Sequence, residues 1–474
     1  MDTDLWTYTK PTQEWTPHPY QEKVIKLMLQ QAAAGVLLDP GLGKTSCSLA
    51  AASILLKKEH INRVLVITPL RPLYSVWPAE IAKWSNFNHL KYHIFHGKGR
   101  NPHAIPADTE LVLINPEGLL WLMDERFPKR FEALEVDTLI IDESTRFKDA
   151  STKRFKLLRK YLLKFKRRYI LTGSISPNGL LDLFGQIYVL DRGHALGAYI
   201  THYKRMYFTQ PNPMDPYKFV PTPEAHEQIA EKVSPLVIQM QAEDYLQMPE
   251  LINHTVEITL PDAVMERYKE VDEEFITKLH DGSVVVAANA AVAGGKCRQI
   301  ANGAIYVTPE DMPRETVYLH QEKVKALQEI LEELGGNPAL IGYEFQHDKD
   351  QILKVFPDMP VISGMSPKKV DALINSFNNG SVPYILGHPA SMGHGLNMQG
   401  ACHHVIWYGI TWNFEHYDQM IRRVYRQGQK GVSVTVHHIV AKNTRDEKVL
   451  PVLEAKERTQ KDFLNALSEP ILFN

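Results

Sequence analysis

Short apolar, β-branched runs alternate with helix-period stretches over the first 190 or so residues, and that rhythm predicts a parallel sheet built from strand-helix-strand units. The runs are Gly35 to Leu38, Val64 to Thr68, Leu111 to Asn115, Thr138 to Asp142 and Tyr169 to Thr172. In the same region Phe155, Leu158, Leu162 and Phe165 form an apolar stripe that leaves Lys153, Lys160 and Lys164 toward solvent, the pattern of a solvated helix face. Between about 192 and 260 the alternation lapses and Pro211, Pro213, Pro216, Pro221 and Pro223 cluster, so this segment is expected to be a linker or a boundary. Helical pattern follows over about 262–335. Strand-helix alternation then resumes with Pro338 to Tyr343, Pro360 to Ser363, Tyr384 to Gly387, His404 to Tyr408 and Ser433 to Val440. The expected fold class is α/β, with two parallel-sheet lobes in tandem: residues 1–245 with a helical tail, and residues 246–474 with a helical protrusion at about 262–335. No repeat relates the lobes and no segment is of low complexity.

The 474 residues suffice for two or three domains with sizeable cores. A net charge of −2 gives no global attraction to nucleic acid, so any such binding rests on local basic patches. Cys47, Cys297 and Cys402 are far apart and make no C-x-x-C pair, which indicates neither a zinc site nor a disulfide framework. The N-terminus MDTDLWTYTK is acidic and polar, and no run approaches the roughly 18 apolar residues of a membrane span. The expectation is a cytoplasmic protein of a bacterial or virus-infected cell, with no membrane partner.

Candidate chemistry begins directly after the first strand, at Asp39-Pro40-Gly41-Leu42-Gly43-Lys44-Thr45. Gly41 and Gly43 let backbone N–H groups converge on an anion, and the helix that starts there adds its positive end. Lys44 then reaches the β- and γ-phosphates while the Thr45 hydroxyl ligates Mg²⁺. Leu38 stands where G-x-x-x-x-G-K-[ST] wants its first glycine, so the match is to a shorter form, D-x-G-x-G-K-T. Further along, Leu139-Ile-Ile-Asp142-Glu143 is an apolar strand ending in two carboxylates, with Asp142 suited to hold Mg²⁺ through water and Glu143 to polarise an attacking water. In Gln419-Met-Ile-Arg-Arg-Val-Tyr-Arg-Gln-Gly-Gln429, helical pattern runs through Tyr425 and places Gln419, Arg423 and Arg426 on one face. Two guanidiniums so placed can engage a terminal phosphate as arginine fingers do.

Taken in order, these motifs resemble those of a superfamily-two helicase-type ATPase of the Swi/Snf branch, and the resemblance covers nearly the whole chain. Pro19-Tyr20-Gln21 resembles the family's adenine-reading element, which assigns Gln21 to the base edge. Val66-Ile-Thr-Pro-Leu70, with Trp77 and Glu80-Ile-Ala-Lys-Trp84, is similar to its first DNA-tracking motif. Asp142-Glu-Ser-Thr-Arg-Phe-Lys148 resembles Asp-Glu-Ala-His-Arg-x-Lys, Leu171-Thr-Gly-Ser-Ile-Ser-Pro-Asn178 the coupling motif, and Gly393-His-Gly-Leu-Asn397 motif five. The run from Gln419 to Gln429 matches Q-x-x-x-R-x-x-R-x-G-Q at every defined position. Two departures bear on coupling: Ser144-Thr145 replaces Ala-His, and Ser174-Ile175-Ser176 replaces the usual Thr-Pro start.

The resemblance implies two RecA-like lobes with ATP in the cleft between them. It implies catalytic roles for Lys44, Asp142, Glu143, Arg423 and Arg426, and nucleotide contacts from Gln21, Pro40, Gly41, Leu42, Gly43, Lys44, Thr45, Gly395, Asn397 and Gln419. Mg²⁺ falls to Thr45 and Asp142. Nucleic-acid contacts are expected at Arg71, Ser75, Lys148 and Ser391, gripping backbone phosphates without reading sequence. His403-His404 and His437-His438 are read as sheet residues rather than chelating pairs, because strand neighbours point to opposite faces; His394 is read as a loop histidine. The expected activity is a monomeric ATP- and Mg²⁺-dependent motor translocating on double-stranded or branched DNA, with replication, recombination or restriction partners. Strand separation, branch migration, RNA remodelling, a nucleotide-gated DNA clamp and a subunit of a nuclease or modification system remain as alternatives.

Overall fold

A computed structural model describes residues 13–97, 100–211, 219–280, 284–307, 315–392 and 395–467. They divide into two compact units, the first drawn from the described residues of 13–209, 221–246 and 459–467, the second from those of 210–220 and 247–458.

In the first unit, strands β1 (Ala33–Leu38), β2 (Val64–Ile67), β3 (Tyr92–Ile94), β4 (Leu111–Ile114), β5 (Thr138–Asp142), β6 (Arg167–Thr172) and β7 (Val237–Met240) form one sheet in the order β3-β4-β2-β5-β6-β1-β7. Every pairing is parallel. The strands β2, β4 and β5 are buried along their full length, which is why they read as unbroken apolar runs. Val36 lies opposite Leu171, and Leu171 opposite Asp142, so the chain leaves β1, β5 and β6 at one carboxyl edge, where α/β sheets bind ligands. Helices α1 (Pro19–Gln30) and α2 (Lys44–Lys57) pack over this edge's apolar interior, and α3 (Leu183–Asp191) follows β6. The stripe Phe155, Leu158, Leu162 and Phe165 is buried as its period predicts.

The second unit carries β8 (Glu250–Ile258), β9 (Ala339–Gly342), β10 (Tyr384–Gly387), β11 (His404–Trp407) and β12 (Ser433–Ala441) in the order β8-β12-β11-β9-β10, again all parallel. Two separate apolar cores pack within it, and helices α4 (Phe414–Ile421) and α5 (Val449–Leu467) follow β11 and β12. From Thr459 onward, α5 groups with the first unit.

The stretch from 192 to 260 does contain unit boundaries, after residues 209, 220 and 246, and it also holds helices Ile200–Tyr207 and Ala225–Val233 together with β7 and β8; Pro213 and Pro216 lie outside the described residues. Strand β8 is exposed over its first six residues, so no alternation of apolar positions announced it, although it pairs with β12 from Glu250 to Ile258. Two expectations, at 360–363 and 262–335, need correction. Pro360 to Ser363 makes only a single bridge, Val361 to Leu386, along the outer side of β10. The helical segment around 262–335 is interrupted by an antiparallel pair, Ala304–Val307 with Glu315–Tyr318.

Candidate active site

Directly after β1 the backbone enters the left-handed region twice, at Gly41 (φ +98) and Gly43 (φ +84), and Gly43 caps α2. Side chains are disfavoured there. At Gly43 space forbids one as well, for a Cβ would stand 2.4 Å from Gln21 Nε2. Gln21 is buried, accepts the His18 N–H at Oε1 (2.9 Å) and donates from Nε2 to the Leu42 carbonyl (3.0 Å), so it braces the loop from α1. Leu42 is fully buried and pins the loop from inside. On the other flank Asp39 N–H donates to the Met240 carbonyl (3.2 Å) and Asp39 Oδ2 accepts the Ala242 N–H (3.0 Å), a buttress from β7 that sequence pattern did not reveal. Lys44 Nζ donates to the Leu38 carbonyl (2.6 Å), which holds the ammonium over the strand end; Pro40 and Thr45 are half-buried beside it.

Asp142 ends β5 and is buried. Its Oδ2 accepts both the Thr68 hydroxyl (2.9 Å) and the indole N–H of the fully buried Trp77 (3.1 Å). Burial and the adjacent Glu143 push its pKa up, against the two donors and Lys44. A cation at this carboxylate would relieve that penalty, and with the Thr45 hydroxyl it offers the hard oxygen donors Mg²⁺ takes alongside water. Thr68 and Trp77, which the resemblance places in a DNA-tracking motif, are thus the residues that orient Asp142. An indole among apolar neighbours must find an acceptor, and that was the available signal. Glu143 has φ +57 and ψ 62, a left-handed conformation costing a non-glycine residue about 1–3 kcal/mol, and it turns the chain from β5 into the 3-10 turn Ser144–Phe147. Strain of this kind gathers at functional sites.

In the second unit the one-helix reading of Gln419, Arg423 and Arg426 does not hold. Helix α4 stops at Ile421, and Arg423 and Arg426 lie in the turns beyond it. The chain is drawn out of helix by Gln429, whose Nε2 donates to the Cys402 (2.8 Å) and Val424 (3.1 Å) carbonyls, and by Met398 N–H donating to the Arg423 carbonyl (3.0 Å). Both arginines are still gathered at one segment, because Arg426 Nη1 donates to Asn397 Oδ1. Arg423 is buried; burial lowers the Arg426 pKa, yet the group stays charged at neutral pH. Gly395 has φ +85, and Gln419 donates to Glu415 (3.3 Å). Gly393 and His394 lie outside the described residues.

Of the nucleic-acid candidates, Arg71 and Ser75 share one turn, with the Ser75 hydroxyl donating to the Arg71 carbonyl (3.0 Å). Ser391 is exposed in the turn Pro389–Ser391. Lys148 is engaged by Asp182 (3.1 Å), and Lys160 by Glu125. A surface feature went unread: Arg130 lies over both Trp121 (4.1 Å) and Phe127 (4.0 Å), with Arg100 on Trp121 (5.0 Å). This stack adjoins the Arg71 turn through Phe95 against Trp121 (5.9 Å) and Tyr74 against His96 (2.7 Å). Guanidinium edges suit phosphate and aromatic ring faces suit stacked bases. The interleaving of Trp121, Arg126, Phe127 and Arg130 was the legible sign.

The neighbouring histidines do face apart: His437 meets His254 Nδ1 (3.2 Å) and His404 Nδ1 (3.3 Å), whereas His438 meets the Tyr417 hydroxyl (2.8 Å). Burial first, then the neighbouring imidazoles, depress both His437 and His438 to about 4. Because the unfolded chain takes up these protons near pH 6.5 and the folded chain does not, stability is expected to fall as pH drops from about 6.5 toward 4. Melting temperatures between pH 7 and 5, where ordinary carboxylates remain ionised, test this. A flat curve, or one unchanged in His437→Phe, counts against it.

A cradle with Lys44 and Thr45, a buried carboxylate at the carboxyl edge of the same sheet, and a second parallel-sheet unit carrying paired arginines define a helicase-like ATPase. The chain matches the SNF2-related domain over residues 20–303 and the helicase conserved C-terminal domain over residues 322–428, and it belongs to the SNF2-related family as an ATP-hydrolysing, helicase-like enzyme. It is 33% identical to "Putative protein p41" of Acyrthosiphon pisum secondary endosymbiont phage 1, across 96% of this chain and 99% of that one. The "Uncharacterized ATP-dependent helicase YqhH" of Bacillus subtilis is 22% identical across 93% of this chain and 78% of its own length. The "DNA repair and recombination protein RAD54B" of Gallus gallus is 24% identical across 90% of this chain, which spans about half (51%) of that relative. Among the described residues, no helix is long and apolar enough to cross a membrane.

Proposed function

We propose that this protein is a DNA-stimulated ATPase motor that translocates along double-stranded DNA as a monomer. The observation that carries the reading is the pair of hydrogen bonds from Thr68 and Trp77 to Asp142. Between those two residues lies the turn bearing Arg71 and Ser75, so a backbone phosphate gripped there acts on a segment joined at both ends to the residues that hold the carboxylate. A relative named for DNA repair and recombination supports DNA as the track.

In this mechanism Lys44 leaves the Leu38 carbonyl to meet the phosphates of ATP, while the backbone from Pro40 to Gly43 cradles them. Thr45 and Asp142 would hold Mg²⁺, which would supply charge neutralisation at the phosphates. Glu143 orients the attacking water. Arg423 and Arg426, positioned by Met398 and Asn397, stabilise the charge that develops on the transferred phosphoryl group. Turnover measured with no nucleic acid, single-stranded DNA, duplex DNA, forked DNA and RNA at two salt concentrations is the test. We expect duplex DNA to stimulate most and salt to weaken the effect; turnover indifferent to DNA overturns the reading. Displacement of a triplex strand without release of a duplex strand then separates translocation from unwinding.

A further inference from the structure

Ser144 follows Glu143, is fully buried, and donates its hydroxyl to Gln186 Oε1 at 2.6 Å. Gln186 sits on α3 among Leu183, Phe184 and Ile187, all buried, an unfavourable place for an amide unless each polar atom is met. Each is met: Oε1 accepts from Ser144, and Nε2 donates to the Ile175 carbonyl (2.6 Å) and the Asp182 carbonyl (2.8 Å). The 144–148 turn is strapped to the same helix a second time by Lys148 on Asp182 (3.1 Å), whose Oδ2 also accepts the Asn178 N–H (3.1 Å). Backbone meets backbone at Gly185, where a Cβ would stand 2.1 Å from the Phe147 carbonyl oxygen. Beyond Ile175, Thr172 Oγ1 accepts the Ser174 N–H (3.1 Å), and the Ser174 hydroxyl donates to Gln460 Oε1 (2.7 Å) on α5. An unbroken chain of bonds thus runs from the residue after Glu143 to the C-terminal helix.

We propose that Gln186 is a positioning residue that transmits the nucleotide-dependent state of Glu143 to the segment 172–176 and onward to α5. Ser144 and Ile175 are two of the positions at which this chain departs from its family's motifs, and Gln186 is the side chain that joins them. An apolar residue on α3 would fill the space without needing three partners, so the amide's presence points to what it connects. The inference rests on the ATPase reading but does not need DNA to be the track.

The test is the double variant Ser144→Ala with Gln186→Leu, which removes the donor and the amide together and keeps the site apolar. Hydrogen exchange at amides 172–176, with and without a non-hydrolysable ATP analogue, is the first readout. The wild type is expected to show nucleotide-induced protection there, and the double variant to lose it while keeping its melting temperature and nucleotide affinity. Equal protection in both, or no nucleotide response in the wild type, overturns the proposal. The second readout is kcat with duplex DNA, expected to fall about tenfold at unchanged KM for ATP, with Ser144→Thr retaining wild-type behaviour; a double variant with full DNA stimulation also overturns it. Wild-type turnover indifferent to DNA refutes the motor instead, and hydrogen exchange then decides the relay alone.

Discussion

Glu143→Gln is expected to bind ATP with wild-type affinity and to turn it over about 10² to 10⁴ times more slowly, the usual contribution of a positioned general base. The substitution keeps the side chain's shape, and glutamine meets the same backbone penalty as glutamate at φ +57, so the fold at the end of β5 should not change. Electrostatics adds a second expectation. Glu143 is one of the two causes that push Asp142 up, the other being burial, so neutralising it lets the Asp142 pKa fall. Mg²⁺ retention at neutral pH should therefore hold or improve even as hydrolysis collapses. Single-turnover hydrolysis alongside titration with a fluorescent nucleotide separates the two effects. Turnover within threefold of wild type would place the base elsewhere; a parallel loss of binding would mean that Glu143 supports the loop rather than the water.

What the sequence disclosed and what it hid divide along physical lines. Strands buried along most of their length announce themselves as apolar runs, and both β5, inside its sheet, and β10, at an edge, fall on the expected residues. Exposed edge strands do not: β8 is mostly exposed, and β3 shows only partial burial. The phosphate loop was legible because its glycines and lysine are adjacent in sequence. The contacts that brace it from α1 and β7 are not local, and neither are the bonds from Thr68 and Trp77 to Asp142, about 70 residues away. The gathering of His254, His404 and His437 needs the register of three strands, which no spacing rule supplies. The early end of α4 has the same origin: spacing favoured a longer helix, but Gln429 and Met398, anchored elsewhere, pull the backbone into turns.

Arg426→Ala should reduce turnover about 10³- to 10⁵-fold if this guanidinium serves as an arginine finger toward ATP. Its surroundings favour that magnitude. The side chain is half-buried and held by Asn397, so little freedom is lost when it meets a phosphate, and partial desolvation strengthens the attraction. Arg426→Lys should recover only a small part of the loss, because an ammonium cannot reproduce the two-pronged fork. Asn397→Ala leaves the charge but frees it to wander, and a smaller defect, confined to kcat, is expected. ATP affinity should change little in all three, since Lys44 and the backbone from Pro40 to Gly43 provide the cradle. The measurements are kcat and KM for ATP under saturating DNA, with melting temperature as the control for folding. Arg426→Ala with unchanged turnover would remove the arginine pair from the active site and leave the first unit to account for hydrolysis alone.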